Sequence, residues 1–436
     1  MHPSPSRADS SPALERPVPI PDRATGPLGL LVRVRTFEAL QYPEYRLLWL
    51  GQVCTGLATW MDQVSRGWLM YQLTDSALQL GLVRAVQAVP LLLLSPVAGT
   101  LADRYDRKTQ IVVSQFIDSL LYGLLAVLIL NGQVQPWHVY ATALGAAIVQ
   151  VFQNPSRQAL VSESVAPQHL TNAIGLNSMG FNGSRTIGPA VAGGLIAAVD
   201  TGGSYVVQAL LYVGATYWSF QLRPGSRASA GHPHGRPSIA ASTVEGWRFV
   251  FHHEAIRTGI LVAMVGSLLA QPFTTLLPIY ARDILEAGPT GHGLLLTAMG
   301  VGAVTGGVLI ASIGDALPKG ALMLGGLGIY GLCVMAFGVS HWFAVSTGIM
   351  VVAGLCNIGV HALIQTIVQG HSPPELRGRM MGAFQQTQVM WTLGSMIAGG
   401  LAAAWTAPWA LVAMGGPCTA CAIAILFAFP RARSIR

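Results

Sequence analysis

Apolar runs of about twenty residues or more recur along this chain, and they restrict its fold more than any other feature. They fall at about 47–73, 79–101, 109–131, 137–162, 171–199 and 203–221, and again at about 257–280, 291–313, 320–339, 342–368, 379–404 and 408–429. A ~30 Å hydrocarbon core takes ~20 helical residues at 1.5 Å each, so each run can cross it. Lipid offers no partner for backbone N–H and C=O groups, which leaves helices as the way to cross with runs of this kind. The expected fold class is an all-α membrane protein, with twelve transmembrane helices in two pseudo-symmetric six-helix bundles. Composition agrees: charged residues are 10% of the chain, against about 25% in soluble proteins. The 50 glycines suit helices that pack through small side chains. Cys54, Cys333, Cys356, Cys418 and Cys421 all sit inside apolar runs, which argues against a disulfide framework. Cys418 and Cys421 have redox-motif spacing without a soluble βαβ context, and read as small packing residues.

Basic residues orient the runs. With twelve spans, both termini share a side with the loops after even-numbered spans, and that side holds 20 of the 25 Lys and Arg. The opposite side has only Arg282, and Arg66, Arg84, Arg157 and Arg185 lie within spans. Both termini are therefore expected to be cytoplasmic. The same asymmetry accounts for a pI near 9.4, so no nucleic-acid partner is implied. Polar, Pro/Ser/Arg-rich residues 1–45 read as a disordered cytoplasmic tail without signal-peptide features, in which Leu28 to Leu40 could lie on the membrane surface. The first six-helix bundle is expected at 46–221, a cytoplasmic linker at 222–256, the second bundle at 257–429 and a short tail at 430–436. Shifting the sequence by 212 aligns Gly81 with Gly293, Asp103 with Asp315 and Arg107 with Lys319. A shift of 207 aligns Gln158 with Gln365, Pro167 with Pro374 and Gly193 with Gly400. Matching features at the same helix ends mark a duplicated six-helix unit, whose site belongs at the interface.

Intramembrane charge is the sharper functional signal, because each such residue costs a few kcal/mol at the helix centre. Asp62 and Arg66 stand at i,i+4 on one helix face, either as a self-neutralising pair or as part of a site. Arg84, Asp118, Arg157 and Arg185 have no partner within their own helices. Gln150, Asn154 and Arg157 form one polar stripe, and Asn182 with Arg185 forms another beside Asn177. In the second half, Asn357, His361 and Gln365 stripe one span, and Gln385, Gln388 and Thr392 stripe the next. Stripes can be interhelical glue. At repeat-related positions they favour a central water-filled cavity, charged in the first half and amide-rich in the second. Ion coupling needs a titratable group there: Asp62 or Asp118 first, then His361.

Gly99-x-Leu-Ala-Asp103-Arg104-x-Asp106-Arg107-Lys108 resembles the loop signature between spans two and three of the major facilitator superfamily. Asn154-Pro-Ser-Arg157-Gln158-Ala-Leu, the run from Asn172 to Asn177, and Pro374-Glu375-Leu-Arg377-Gly378-Arg379 are similar to its bacterial drug and siderophore exporters. The resemblance covers nearly all the chain after residue ~45 and implies a bacterial inner-membrane protein. It implies a gating latch at Gly99, Asp103, Arg104, Arg107 and Lys108, in which Asp103 engages the region of Arg379 and Arg107 reaches Glu163. Asp106 replaces the usual Gly of that signature. Gly188, Pro189, Gly193 and Gly194 resemble an antiporter signature with one extra residue, implying a helix bend and export.

No phosphate-binding loop, zinc-binding helix motif or nucleophile elbow occurs, so neither an enzyme, a cofactor nor a metal is expected. The expected function is proton-coupled export of a small amphipathic organic molecule, a drug or a siderophore-like metabolite, by alternating access. Its partners would be that substrate, protons and the lipid bilayer, with the chain monomeric. An uptake symporter and a non-transporting receptor on the same scaffold are the alternatives.

Overall fold

A computed structural model of the chain describes residues 35–104, 106–223, 248–313, 318–373 and 376–429. Among them every regular element is helical. α1 is Pro43–Thr74, α2 Ala77–Arg104, α3 Arg107–Leu130, α4 Pro136–Glu163 and α5 Leu170–Phe220. In the second half, α6 is Glu254–Val265, α7 Gly288–Ile313, α8 Lys319–Gly338 and α9 Phe343–His371. They are followed by α10 at Arg377–Gln386, α11 at Val389–Ala404 and α12 at Ala407–Ala428.

Local chemistry sets the ends. α1, α4 and α12 each start on a proline in their first turn, where a missing N–H costs nothing and φ is already helical. α5 is too long for one pass. Val199 (φ −138°) and Asp200 (φ 62°) break it into two limbs, and the Asp200 carboxylate accepts from Thr201 N at 2.6 Å. Beyond Val265, α6 continues through a π turn at Gly266–Ala270, a 3₁₀ stretch at Gln271–Leu276 and a second π turn at Tyr280–Ile284. Pro272 and Pro278 lie in this irregular stretch, where each removes a helical donor.

Eight helices among the described residues are long and apolar enough to cross a membrane, one being the two-limbed α5. α1, α4 and the α10–α11 pair fall short on the same measure. α1 and α4 carry Asp62 and Arg66, and Gln150 to Arg157, polar residues that lower their hydropathy, whereas α10 at 10 residues and α11 at 16 are short because the helix breaks at Thr387 and Gln388. Large side chains facing outward, such as Leu93, Leu210, Phe220 and Phe427, are apolar, as a lipid-facing surface requires.

α1 and α3 pack along α5, α2 along α4, α7 along α9, and α8 along both α9 and α12. Two seams join the first set to the second: α2 with α11, and α5 with α7. Both are glycine crossings of one design. A Cβ on Gly193 would stand 2.6 Å from Pro289 O, and one on Gly293 would strike Pro189 O. Likewise a Cβ on Gly81 would stand 2.6 Å from Ser395 O, and one on Gly399 2.7 Å from Ala77 O. Each glycine meets the carbonyl four residues before its partner glycine. Gly81 and Gly293 are therefore equivalent, as the 212 shift aligns them. Gly193 corresponds to Gly399, one residue from the Gly400 of the 207 shift, and a Cβ on Gly400 would meet nothing within 4 Å.

Residues 35–45, assigned from sequence to the tail, include a short helical turn, Arg35–Gln41. Ala39 N donates to Asn172 Oδ1 at 2.9 Å and Tyr45 OH to Ala173 O at 2.7 Å, fastening this segment to the start of α5.

Candidate functional site

A cavity of about 370 Å³ lies between α1, α2, α3, α4, the second limb of α5 and α11, within the usual range for small-molecule sites. It gathers Asp62, Arg84, Asp118, Gln150, Asn154 and Gln388 from the sequence candidates, with Thr392 beside them. Its aromatic wall, Trp60, Tyr122, Tyr212 and Trp391, and the amides Gln63 and Gln87 are additions from the structure. Gln63 stands three residues before Arg66, and Gln87 three after Arg84, so helical phase could have found both. The aromatics carry no such signal, since Trp and Tyr serve equally as membrane packing.

The charges fall into different states. Asp62 and Arg66 form a buried ion pair, with Arg66 Nε donating to Asp62 Oδ2 at 2.9 Å. Tyr205 OH donates to Asp62 Oδ1 at 3.1 Å, and Arg66 Nη1 donates to Val139 O and Thr142 Oγ1, both at 3.0 Å. This network leaves neither carboxylate oxygen unpartnered. Arg84 differs: its Nη1 donates to Gln87 Oε1 at 3.2 Å and its guanidinium lies 5.4 Å from the centre of the Trp391 ring. It has no carboxylate within 4 Å among the described residues. Asp118 is 3% exposed, and its Oδ1 has no hydrogen-bond partner; neither do Arg157 Nη2 and both polar atoms of Gln115. Such orphaned atoms are uncommon in folded proteins and mark polar space.

Two smaller hollows adjoin the cavity. One, bounded by Gln63, Arg66, Arg84, Thr274 and His292, lies toward α6 and α7. The other holds Arg185 with Trp60, Gln63, Pro189, Gln271 and Trp391. Arg185 lies 5.2 Å from the Trp60 ring centre and donates weakly to Asn357 Oδ1 at 3.4 Å. His361 packs edge-on against Phe384 at 5.7 Å, in a separate pocket with Asn357. Asn177, Asn182, Gln365 and Gln385 line none of these spaces. Asn182, Gln365 and Gln385 are exposed, and Asn182 Nδ2 bonds Ser178 O at 2.9 Å within its own helix.

Of the loop signature, Arg107 forms an ion pair with Glu163, and Lys108 Nζ lies 5.4 Å from the Phe220 ring centre. Asp106 caps α3: its Oδ2 accepts from Thr109 N at 2.8 Å and Thr109 Oγ1 at 2.7 Å, a task glycine cannot perform. Gly99, Asp103 and Arg104 end α2, and their side chains lie outside the described residues, as do Asp315, Pro374 and Glu375. Through Gly188–Gly194 the dihedrals stay helical. A Cβ on Gly188 would come within 2.8 Å of Trp60 Cβ, while one on Gly194 would meet nothing within 4 Å.

At the other end of the molecule, Arg282 pairs with Asp75 and Asp283 and sits 4.0 Å from the Tyr71 ring centre, while Tyr71 OH bonds Asp283. This group ties the end of α1 to the end of α6. Arg282 registered in the sequence only as a topology marker.

A family profile described as transmembrane secretion effector matches residues 34–435. The staphyloferrin A transporter of Staphylococcus aureus is 25% identical over 78% of this chain and 85% of its own length. The multidrug efflux pump Tap of Mycolicibacterium fortuitum is 24% identical over 82% of this chain and 88% of its own. Among solved structures, a mutant of the nucleoside transporter NupG superposes with a TM-score of 0.71 at 12% identity. It covers 88% of this chain and 99% of that one, a likeness of fold. The protein is thus a multi-pass membrane transporter for a small molecule and not an enzyme, and the chain belongs to the transmembrane secretion effector family of the major facilitator superfamily.

Proposed function

We propose that this chain exports a small amphipathic organic molecule across the bacterial inner membrane, exchanging it for protons by alternating access. Twelve crossings, cytoplasmic termini and two six-helix bundles at 46–221 and 257–429 belong to this reading, as does a monomeric chain. The observation that carries it is the cavity of about 370 Å³, bounded by helices of both halves and holding two carboxylates. The exporters among the relatives support the direction.

The two carboxylates are not equivalent. Protonating Asp62 would discard an ion pair at 2.9 Å and weaken the bond from Tyr205. Protonating Asp118 breaks no hydrogen bond to its Oδ1, which has none. Asp118 is accordingly the proton carrier, with Arg157 near enough to feel its charge. The Arg282 group acts as the outer gate and the Arg107–Glu163 pair as part of the inner latch. Solvent-exposed ion pairs contribute little individually, which suits contacts that must open in each cycle.

Proteoliposomes with an imposed pH gradient test the reading. Uphill transport of a substrate should collapse with the gradient, and Asp118→Asn should keep downhill exchange while losing uphill movement. Uphill transport that survives collapse of the gradient would refute proton coupling. Accumulation in the opposite direction would favour uptake.

A further inference from the structure

We propose that the cavity selects an organic oxyanion with a flat apolar body, anchored by Arg84 and stacked along the Trp60–Trp391 wall. The proposal rests on this cavity being the transport site, and adds the chemistry it recognises.

Charge comes first. The cavity and its two adjoining hollows contain Arg66, Arg84 and Arg185 against Asp62 and Asp118. Asp62 is spent on Arg66, and Asp118 shares its surroundings with Arg157 as well. Arg84 and Arg185 are left without a carboxylate among the described residues, each lying over a tryptophan ring instead. A guanidinium held this way keeps its charge and most of its five N–H donors for something else.

Hydrogen-bonding capacity points the same way. Trp60 Nε1 and Trp391 Nε1 are buried without an acceptor, on the wall that separates the two arginines. Indole can only donate. Of the acceptors nearby, both Asp62 oxygens and Gln87 Oε1 are taken. Among fully buried atoms, Gln271 Oε1 and Asp118 Oδ1 are the acceptors left over, and Asp118 is the group assigned to the proton; the lining amides Gln63, Gln150, Asn154 and Gln388 each bring donors as well as an acceptor. The unmet capacity on the tryptophan wall is thus mostly donor capacity. A ligand that completes it brings several acceptor oxygens and negative charge, as a carboxylate, phenolate or phosphate does.

Shape supplies the rest. Tyr122 and Tyr212 stack at 5.2 Å with planes 9° apart, and both face the cavity opposite α11. With Trp60 and Trp391 they give the cavity four aromatic side chains beside the apolar Ala88, Leu91, Val151 and Val389, a lining that suits a flat apolar body. A lipophilic cation entering it would meet the uncompensated Arg84, with Arg185 in the adjoining hollow, which weighs against the cationic class of amphipathic substrates.

A charge series on one ring system tests this with the full-length protein in nanodiscs, by isothermal titration calorimetry. The probes are 2-naphthoate, 2-naphthyl phosphate, 2-naphthamide and 2-naphthylmethylammonium. Naphthoate or the phosphate should bind about tenfold or more tighter than the amide, the size of a charge-assisted bond, and the ammonium weakest. Whichever anion leads identifies the oxyanion. Arg84→Gln should bring the anions down to the level of the amide, and Arg84→Lys should keep part of the preference. Equal or tighter binding of the amide or the ammonium, no binding of any probe, or an undiminished preference in Arg84→Gln would overturn the proposal. If Arg84→Gln fails to fold, the wild-type series decides. Binding is read here without flux. An anion preference without transport would sink the export reading alone, and uphill export without that preference would sink only this one.

Discussion

Asp62–Arg66 on α1 and Arg84 on α2 face one another across the same space, and they use charge in opposite ways. The first is a closed network in which carboxylate, guanidinium, a tyrosine hydroxyl, a threonine hydroxyl and a backbone carbonyl satisfy one another. The second is an open cation with one amide and one indole face. Burial does not separate them from sequence, since both are arginines in apolar helices. What separates them is the state of their partners, and on the reading proposed above the pair is structural while the single residue recognises the ligand.

Substitutions can break this contrast. Asp62→Ala leaves Arg66 buried and unpaired and should cost about 3–5 kcal/mol of stability, read as a large fall in the thermal midpoint of detergent-solubilised protein. Replacing both partners, Asp62→Leu with Arg66→Met, should restore most of that loss, because a buried pair is roughly replaceable by apolar groups; continued collapse of the double variant would show that the pair does more than neutralise itself. Tyr205→Phe removes one bond to a charged oxygen and should cost about 1.5–3 kcal/mol in the same assay. The smallest effect on stability belongs to Arg84→Gln, within about 1 kcal/mol, since no ion pair is lost. A large destabilisation there would place Arg84 with the structural charges and erase the distinction.

The apolar runs made the helical membrane fold legible, and the Gly81–Gly293 alignment pointed to its internal repeat. Of the residues whose charge is costly in lipid, Asp62, Arg84 and Asp118 line the cavity, and Arg66 and Arg185 line the adjoining hollows. Amide stripes were less dependable. Gln365 follows Asn357 by eight residues, which rotates it by about 80° around an ideal helix, and it is exposed and shares no pocket with Asn357. Gln385 lies on α10, and the helix is interrupted at Thr387 and Gln388 before α11 begins, so a stripe drawn across the break loses phase. Trp60 and Trp391 could not be read from sequence, because an aromatic residue in a membrane helix has many ordinary reasons to be there.

The two glycine crossings have a mechanical consequence. At Gly193–Gly293 and at Gly81–Gly399 the helices meet backbone to backbone. Of the glycine contacts between the halves these two are the ones made by backbone alone, and two such points define a line. A rotation that keeps both contacts must turn about that line, so the pair acts as the two bearings of a single axle. A bulky residue at any of the four glycines would act less as a local clash than as grit in one bearing, tilting the axle for the whole molecule.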